Sequence, residues 1–256
     1  MNMEDWQDRT RLLIGDEGIN KLKNSHVLVV GLGGVGAYAA EQLARAGIGK
    51  LTLVDGDVVN DTNRNRQLLA LTSTLGRPKA EVMAERIRDI NPEAELEVVN
   101  RYMKDDAIIE LVSKPYDFIV DAIDTVAPKV FLLYYAKQNN QRIVSCMGAG
   151  GKFHPEKIEI ADIAQPNHCR LAFYIRKRLH RLGVREGITV VFSPEPVADS
   201  AVTTDMEKEQ NKVSNVGTIS YMPAAFGLFC ASVVINGILE GNTDSETRSI
   251  GVSTNK

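Results

Sequence analysis

As far as Gly151, apolar and polar positions alternate in a pattern that predicts strands and helices in turn. Short, continuous apolar runs are typical of strands buried on both faces of a parallel sheet. They occur at 26–30, 51–54, 96–99, 118–120 and 143–144. Segments with helical spacing lie at 37–46, 79–88 and 130–137. This alternation favours an α/β fold with a doubly wound, mostly parallel sheet and right-handed crossovers.

Beyond Gly151 the alternation ends, and a C-terminal extension of different composition follows. It contains a basic helical segment, a strand, a polar loop and an uncharged apolar stretch, at 166–186, 188–192, 194–215 and 213–239. A polar tail begins at Gly241. We therefore expect an extension that combines a basic helix with an apolar segment.

The uncharged stretch at 213–239 is long enough to cross a bilayer. Pro223, Gly217, Gly227 and Asn236 interrupt it, so we expect a buried core or dimer-interface segment, with membrane insertion as the alternative. The charged N-terminus lacks the apolar region of a secretory signal. Three widely spaced cysteines without a CxxC pair suit a reducing compartment. A cytoplasmic location is expected, and peripheral membrane association stays open.

Net charge is −3, which excludes binding of a polyanion by bulk charge, and we expect no DNA partner. Positive charge is nevertheless concentrated in one segment of sixteen residues, which contains Arg170, Arg176, Lys177, Arg178, Arg181 and Arg185. Phe173 and Tyr174 lie among these residues and could stack on bases. The segment predicts contacts to RNA phosphates, although a solvated helix face would have the same composition.

A glycine-rich turn lies between the first predicted strand and the first predicted helix. Its motif GLGGVG contains Gly31, Gly33, Gly34 and Gly36. Glycines allow a phosphate to approach the backbone, and the N-terminus of the following helix offers free N–H groups. Asp55 lies 19 residues beyond Gly36, where a carboxylate can hold ribose hydroxyls. The motif predicts a nucleotide site but does not separate NAD from ATP.

Charged and amide side chains over the next ninety residues favour ATP. A triphosphate that loses pyrophosphate needs cations and usually Mg²⁺, whereas backbone amides largely satisfy the pyrophosphate of NAD. The candidate groups follow strands or open a helix, at the strand ends where a doubly wound sheet binds its ligand. They are Asp55, Asp57, Asn63, Arg66, Lys79, Asp121 and Asp124.

Read as GxGGxG, DxDxVxxxNxxRQ, Lys and DAxD, residues 26–125 resemble the ubiquitin-activating (E1-like) superfamily, which includes the bacterial adenylyltransferases of thiamine and molybdopterin synthesis. The resemblance implies that Asp55 binds ribose and that Asn63, Arg66 and Lys79 bind the triphosphate. It implies that Asp124 coordinates Mg²⁺ or orients the attacking carboxylate. Arg9 matches an arginine that reaches the partner subunit's nucleotide, so a homodimer is implied. The implied catalytic set is Arg66, Lys79, Asp124 and Arg9.

Within this superfamily the chain more closely resembles the tRNA threonylcarbamoyladenosine dehydratases, over roughly residues 7–240. The strings that carry the resemblance include RTRLLIG at 9–15, LGRPKAEVMAERIRDINP at 75–92, DAIDTVAPK at 121–129 and ISYMPAAFG at 219–227. The sequence departs from the family at Asn167–Arg170, where an acidic residue and a proline are usual. The resemblance implies one adenylating domain over 1–240, with a nucleotide-binding part at about 20–150, a substrate and dimer part at about 151–240, and a tail at 241–256.

The resemblance also implies the reaction. Attack of the threonyl carboxylate on ATP gives an acyl-adenylate, and the neighbouring carbamoyl nitrogen closes a five-membered ring, so the modified adenosine beside the anticodon of tRNA loses water. Because ring closure is intramolecular, no enzyme nucleophile is required, and none of Cys146, Cys169 and Cys230 is expected to be catalytic. ATP and Mg²⁺ are the implied cofactors, a bound monovalent cation stays open, and a cysteine-desulfurase or sulfur-acceptor relay is a further possible partner.

Two other functions stay open at this point. An adenylyltransferase for a ubiquitin-like or sulfur-carrier protein would share the nucleotide motifs, but the typical relatives carry two zinc-binding CxxC pairs that this chain lacks. A nucleotide sensor or NAD-dependent dehydrogenase would share only the glycine-rich turn, and no dehydrogenase-type substrate half is recognisable.

Overall fold

The computed structural model describes residues 5–104, 106–203 and 215–241. Its centre is a seven-stranded sheet of order β3-β2-β1-β4-β5-β7-β6, in which only β6 runs antiparallel to its neighbour. The strands are β1 (His26–Val30), β2 (Lys50–Val54), β3 (Glu95–Val99), β4 (Phe118–Asp121), β5 (Ile143–Cys146), β6 (Glu159–Asp162) and β7 (Thr189–Phe192). A separate pair joins β8 (Val202–Thr203) to β9 (Asn215–Val216).

Seven helices cover this sheet in the described ranges: α1 (Asp8–Lys23), α2 (Gly36–Ala46), α3 (Lys79–Ile90), α4 (Asp106–Ser113), α5 (Val126–Gln138), α6 (Arg170–Arg181) and α7 (Tyr221–Glu240). Side chains of β1 alternate between two cores, because successive residues of a strand face opposite sides. Val27 and Val29 join the core formed with α2, α3 and α7. Leu28 and Val30 join the core formed with α4, α5 and α6.

This architecture confirms the predicted doubly wound, mostly parallel sheet, and the five predicted strands up to 144 are all present. The basic segment, by contrast, is helical over a shorter range than 166–186. Cys169 is extended and His168 has a φ of 49°, so α6 begins only at Arg170. Gly183, with a φ of 83°, follows its end, which leaves Arg185 outside the helix.

The uncharged stretch forms α7, whose length and apolar composition would allow it to cross a membrane. One side of α7 lies in the core, with Met222, Phe226, Cys230 and Val234 buried. Gly227 permits close packing on the start of α2, since a Cβ there would lie 2.5 Å from the Val35 carbonyl oxygen. The prediction of a core segment is confirmed for this face. The tail from 242 onward lies outside the described residues.

Candidate active site

The glycine-rich turn connects β1 to α2 at the carboxyl edge of the sheet. Gly31 has a φ of 89°, a left-handed conformation that favours glycine. Gly36 packs so tightly that a Cβ would collide with the Gly31 carbonyl oxygen. At Gly33 a Cβ would meet its nearest neighbour, the Gln67 amide nitrogen, at 3.7 Å. The turn is therefore compact beneath Gly36 and more open at Gly33, where a phosphate could approach.

Asp55 directly follows β2 and is tied to this turn. Its carboxylate accepts hydrogen bonds from the backbone N–H of Leu32 at 2.6 Å and of Asp57 at 2.7 Å. Burial raises the pKa of the Asp55 carboxyl above its ordinary value, although the Lys79 charge and the two N–H donors act in the opposite direction. These hydrogen bonds fix the Asp55 carboxylate beside the glycine-rich turn.

Lys79 opens α3 with only 3% of its surface exposed. Its Nζ atom lies 2.8 Å from Oδ2 of Asp57, and its backbone N–H donates to the Asp57 carbonyl at 3.0 Å. Tyr102 donates its hydroxyl proton to the other Asp57 oxygen, Oδ1, at 2.6 Å. Asp57 therefore holds a buried ammonium on one oxygen and a phenol on the other. The sequence analysis missed Tyr102, although its place just after β3, at the same sheet edge, was a usable signal.

Asn63 and Arg66 lie in a short turn next to the glycines. Asn63 is buried, and its side-chain oxygen accepts the backbone N–H of Asn60 at 3.1 Å. Arg66 is half-buried and donates to the carbonyl of Thr62 at 3.0 Å and to the side chain of Asn65 at 2.9 Å. The same turn contacts the glycines, since a Cβ at Gly34 would lie 3.4 Å from the Arg66 carbonyl oxygen. Asn63 thus shapes the turn, and Arg66 carries its charge at the edge of the site.

The two aspartates that end or follow β4 occupy different environments. Asp121 is fully buried, pairs with the equally buried Lys129 at 2.8 Å and accepts the Ser145 hydroxyl proton at 2.6 Å. Its contact with the nucleotide stays a prediction, and the structure shows its carboxylate held by these two buried partners. Asp124 lies in the loop after β4. Of these two aspartates, only Asp124 is exposed to solvent.

Residues from the C-terminal half of the chain also contact the candidate site at the carboxyl edge of the sheet. The Asn65 side chain donates to the Thr218 carbonyl at 3.1 Å, and the Gly151 N–H donates to the Gly217 carbonyl at 2.8 Å. Lys152 is buried and donates to the backbone carbonyls of Ser193 and Glu195. Burial lowers the pKa of this ammonium group. These contacts join the phosphate-side turn to the loop after β5, a connection that sequence spacing did not predict.

The predicted basic surface is mostly solvent-facing. Arg170, Lys177, Arg178, Arg181 and Arg185 are exposed. Arg176 differs, because it is half-buried and donates to the carbonyls of Ile163 at 3.2 Å and Pro166 at 2.9 Å. Arg176 thus holds the loop before α6, and its contact with tRNA stays a prediction.

Arg9 lies exposed on α1, beside Leu12 and Leu13, which are 66% and 85% exposed. Within the described residues it forms no hydrogen bond or salt bridge with the glycine-rich turn or with the Asp57–Lys79 pair. Its contact with the nucleotide of a partner subunit stays a prediction.

All three cysteines are buried and free. Burial, with the neighbouring Cys230 thiol, raises the pKa of the Cys146 thiol well above its ordinary value. A thiol in that state is a poor nucleophile at neutral pH.

The structure also contains two cavities of about 470 and 390 Å³ at the opposite, amino edge of the sheet. Asn140 and Arg142 line both cavities, which are remote from the candidate nucleotide site.

The chain matches one protein family along most of its length and, within that family, proteins that share one name. The ThiF family model matches residues 7–253. The tRNA threonylcarbamoyladenosine dehydratase of Escherichia coli (strain K12) is 39% identical over 246 residues, covering 89% of this chain and 92% of that protein. The protein of the same name from Bacillus subtilis (strain 168) is 36% identical over 238 residues, covering 91% of this chain and 94% of that one.

A solved structure gives the same result. The crystal structure of the E. coli dehydratase, TcdA, in complex with ATP matches with a TM-score of 0.84 at 36% identity, covering 94% of this chain and 97% of that chain. The chain therefore belongs to the ThiF family and, within it, to the tRNA threonylcarbamoyladenosine dehydratases. The resemblance drawn from the sequence motifs is confirmed.

Proposed function

We propose that this protein is an enzyme that uses ATP to cyclise threonylcarbamoyladenosine next to the anticodon of tRNA. The observation that carries the proposal is the match, over nine-tenths of both chains, to relatives named for that dehydration. The E. coli relative is known in complex with ATP, and the glycine-rich turn, Asp55 and Lys79 of this chain form a fitting nucleotide site.

The proposed reaction has two steps. An oxygen of the threonyl carboxylate attacks the α-phosphorus of ATP, the bond to the β-phosphate oxygen breaks, and pyrophosphate leaves. A carbamoyl nitrogen then attacks the acyl carbon, loses its proton, and expels AMP. The carboxylate oxygen leaves with AMP, so the nucleoside loses one water in total. Because both groups of the second step belong to one side chain, their effective concentration is high.

The protein would contribute to the reaction by neutralising phosphate charge and by positioning the nucleotide. Lys79 and Arg66 would face the triphosphate, where preorganised cations stabilise the charge that develops during transfer. Asp55 would hold the ribose, since it already sits against the glycine-rich turn. The buried cysteines fit a path without a covalent acyl-enzyme, because burial keeps the Cys146 thiol protonated.

The residues fit a magnesium ion that arrives with ATP better than a resident one. Among the described residues no cluster of three or more His, Cys, Asp or Glu could hold a metal ion. Mg²⁺ in nucleotide sites commonly takes one or two carboxylates and completes its shell with phosphates and water. Asp124 is the exposed carboxylate that would serve, and the bound ion would neutralise phosphate charge.

Binding of tRNA is assigned to the exposed cations of α6 and to Arg185 beyond it. Their charge stands against a net charge of −3 for the whole chain. Phosphate contacts of this kind make binding fall steeply with added salt. A homodimer completed by Arg9 is proposed as well.

The test uses the purified protein with tRNA that carries threonylcarbamoyladenosine. We expect ATP-dependent formation of the cyclic nucleoside, read by mass spectrometry of digested tRNA, with one AMP released per ring. A strain lacking the gene should accumulate the open form. If ATP–pyrophosphate exchange required a carrier protein with a Gly-Gly C-terminus and tRNA stayed unchanged, the adenylyltransferase alternative would replace this proposal.

A further inference from the structure

The exposed side of α6 carries cations and aromatic rings in a single stripe. Side chains spaced three, four, seven, eight and eleven residues apart lie on one face of a helix. The opposite face, with Ala172, Ile175 and Leu179, is buried in the core shared with α5. We call the exposed set the α6 stripe; it consists of Arg170, Phe173, Tyr174, Lys177, Arg178 and Arg181.

Two of its members are aromatic and face solvent. Phe173 is 53% exposed and Tyr174 is 49% exposed. Their ring centroids lie 5.5 Å apart, with the planes at 73°, an edge-to-face arrangement. Scattered apolar residues on a surface need no explanation, but a ring pair enclosed by cations is a different feature. Such a pair offers flat apolar faces in a setting that attracts a polyanion.

The charges of the stripe are available for a ligand. In the described parts of the chain, no carboxylate forms a salt bridge with Arg170, Lys177, Arg178 or Arg181. Binding of an apolar protein partner would cost free energy, because these cations would lose their contact with water. A nucleic-acid strand would instead meet both features, with phosphates on the cations and bases on the rings.

The stripe begins at the edge of the active site. A Cβ on Gly148, just after β5, would lie 4.0 Å from Sγ of Cys169 and 3.8 Å from Cβ of Leu171, at the start of α6. The same loop reaches the phosphate side through the 216–218 segment and Asn65. The aromatic pair lies about one helical turn, or about 5 Å, beyond Arg170.

We propose that Phe173 and Tyr174 form a stacking site for unpaired bases of the tRNA anticodon loop that flank the reacting adenosine. The proposal rests on the proposed function and adds the means by which the enzyme recognises a loop. Paired bases present their edges in a groove, whereas unpaired bases expose the faces that aromatic side chains bind. The cations hold the backbone of any RNA, and the rings select single-stranded RNA.

The test compares two double variants with the wild-type protein. Phe173→Leu with Tyr174→Leu keeps apolar surface but removes the ring faces, and Phe173→Trp with Tyr174→Trp keeps them. Affinity is measured by fluorescence anisotropy for an anticodon stem–loop RNA and for a fully paired hairpin of equal length, over a series of salt concentrations. Melting followed by circular dichroism checks that each variant folds, and Tyr174→Leu alone serves if the double variant does not.

We expect the leucine pair to weaken stem–loop binding by about 5- to 150-fold for each base that loses its platform, as base–aromatic stacking energies imply. The slope of log affinity against log salt should stay unchanged because no phosphate contact is lost. Binding of the paired hairpin should not change, and the tryptophan pair should restore the loop preference. Neutralising Lys177, Arg178 and Arg181 should reduce the salt slope for both RNAs.

Unchanged stem–loop affinity in a folded leucine pair would overturn the stacking site while wild-type cyclisation still supported the proposed function. An equal loss for both RNAs would overturn it too, as would a lower sedimentation coefficient, which would assign the rings to a protein interface. Failure of the wild-type protein to cyclise modified tRNA would instead contradict the proposed function itself.

Discussion

At the scale of single residues, the candidate phosphate site contains a buried lysine that is held by a carboxylate. Lys79 is almost fully enclosed, and Asp57 holds its ammonium at 2.8 Å. Tyr102 holds the opposite oxygen of Asp57 at 2.6 Å, so the carboxylate cannot turn freely. A cation fixed in this way needs little reorganisation when a triphosphate arrives. We therefore expect Tyr102 to position Lys79 through Asp57.

We predict a graded loss of activity along this chain of contacts. Lys79→Ala should slow adenylation by about 10²-fold or more, since it removes a charge that faces the transition state. Tyr102→Phe should slow it by roughly 10-fold, because it removes one hydrogen bond to a charged group, and the lower end of the usual range for such a bond is about 1.5 kcal/mol. The measurement is tRNA-dependent ATP turnover, with kcat and KM for ATP determined separately and the melting temperature recorded for each variant.

Lys50→Ala is the matched control, since Lys50 pairs with Glu95 on the exposed amino side of the sheet. It should retain wild-type kinetics, because an exposed pair contributes little. Turnover near the wild-type value in Lys79→Ala would show that the phosphate site lies elsewhere. A fall in Tyr102→Phe that tracks a lower melting temperature would make Tyr102 merely structural.

Spacing along the sequence placed the candidate residues at one edge of the sheet but could not separate the environments of its two aspartates. Asp121 and Asp124 both follow the same apolar run, so both were expected to meet the ligand. Their difference depends on Lys129, one helical turn into α5, and on Ser145 of the adjacent strand, which together enclose Asp121. The sequence analysis did not select Tyr102, because its contact with Asp57 depends on the pairing of the edge strand β3 with β2.

At the scale of elements, the turn between β1 and α2 contains one glycine that the packing of the fold requires and another that we expect ATP binding to require. Gly36 has no space for a side chain, whereas Gly33 has its nearest neighbour at 3.7 Å. Both are glycines of the same motif, yet a methyl group would meet different surroundings. At Gly36 it would force the helix away from the strand, and at Gly33 it would enter the open space through which we propose that a phosphate approaches.

We predict that Gly36→Ala destabilises the fold and that Gly33→Ala weakens ATP binding without doing so. Overpacking of a tight site costs about 1–3 kcal/mol, which should lower the melting temperature by several degrees for Gly36→Ala. Gly33→Ala should melt like the wild-type protein and bind ATP less tightly in calorimetry. Gly76→Ala, in a left-handed turn with open space around its Cβ position, shows the cost of backbone strain alone. Equal ATP affinity for Gly33→Ala and wild type would contradict the proposed approach of the phosphate.

The sequence predicted most of the strands but missed β6 and α1. Strands β1, β2, β4 and β5 were recognisable because burial on both faces leaves a continuous apolar run. Strand β6 was missed because it is an edge strand with Glu159 and Ile160 exposed, so its composition resembles a loop. Helix α1 was missed because Gly15, with a φ of 70°, interrupts it and its apolar residues Leu12 and Leu13 face outward.

For the whole molecule, those outward leucines are the strongest sign of assembly. Leu12 and Leu13 adjoin Arg9 on α1, and Trp6 just before the helix is also exposed. An apolar cluster of this kind on a surface commonly marks an interface. In a two-fold symmetric dimer each subunit contributes the same patch to the other. The proposed Arg9 contact with the partner's nucleotide would follow if this patch were the dimer interface.

A mixing experiment tests that arrangement directly. If Arg9 acts in the partner's site, Arg9→Ala and Lys79→Ala homodimers each have two defective sites. A heterodimer of the two variants, however, contains one site with both residues intact and one site with neither. We predict that unfolding and refolding an equal mixture restores about a quarter of wild-type turnover, since half of the randomly formed dimers are mixed and each has one working site. Mixing two preparations of the same variant is the control and should restore none. If Arg9 acted within its own subunit, every site would lack one of the two residues, so an inactive mixture with dimers present in sedimentation would refute the shared site.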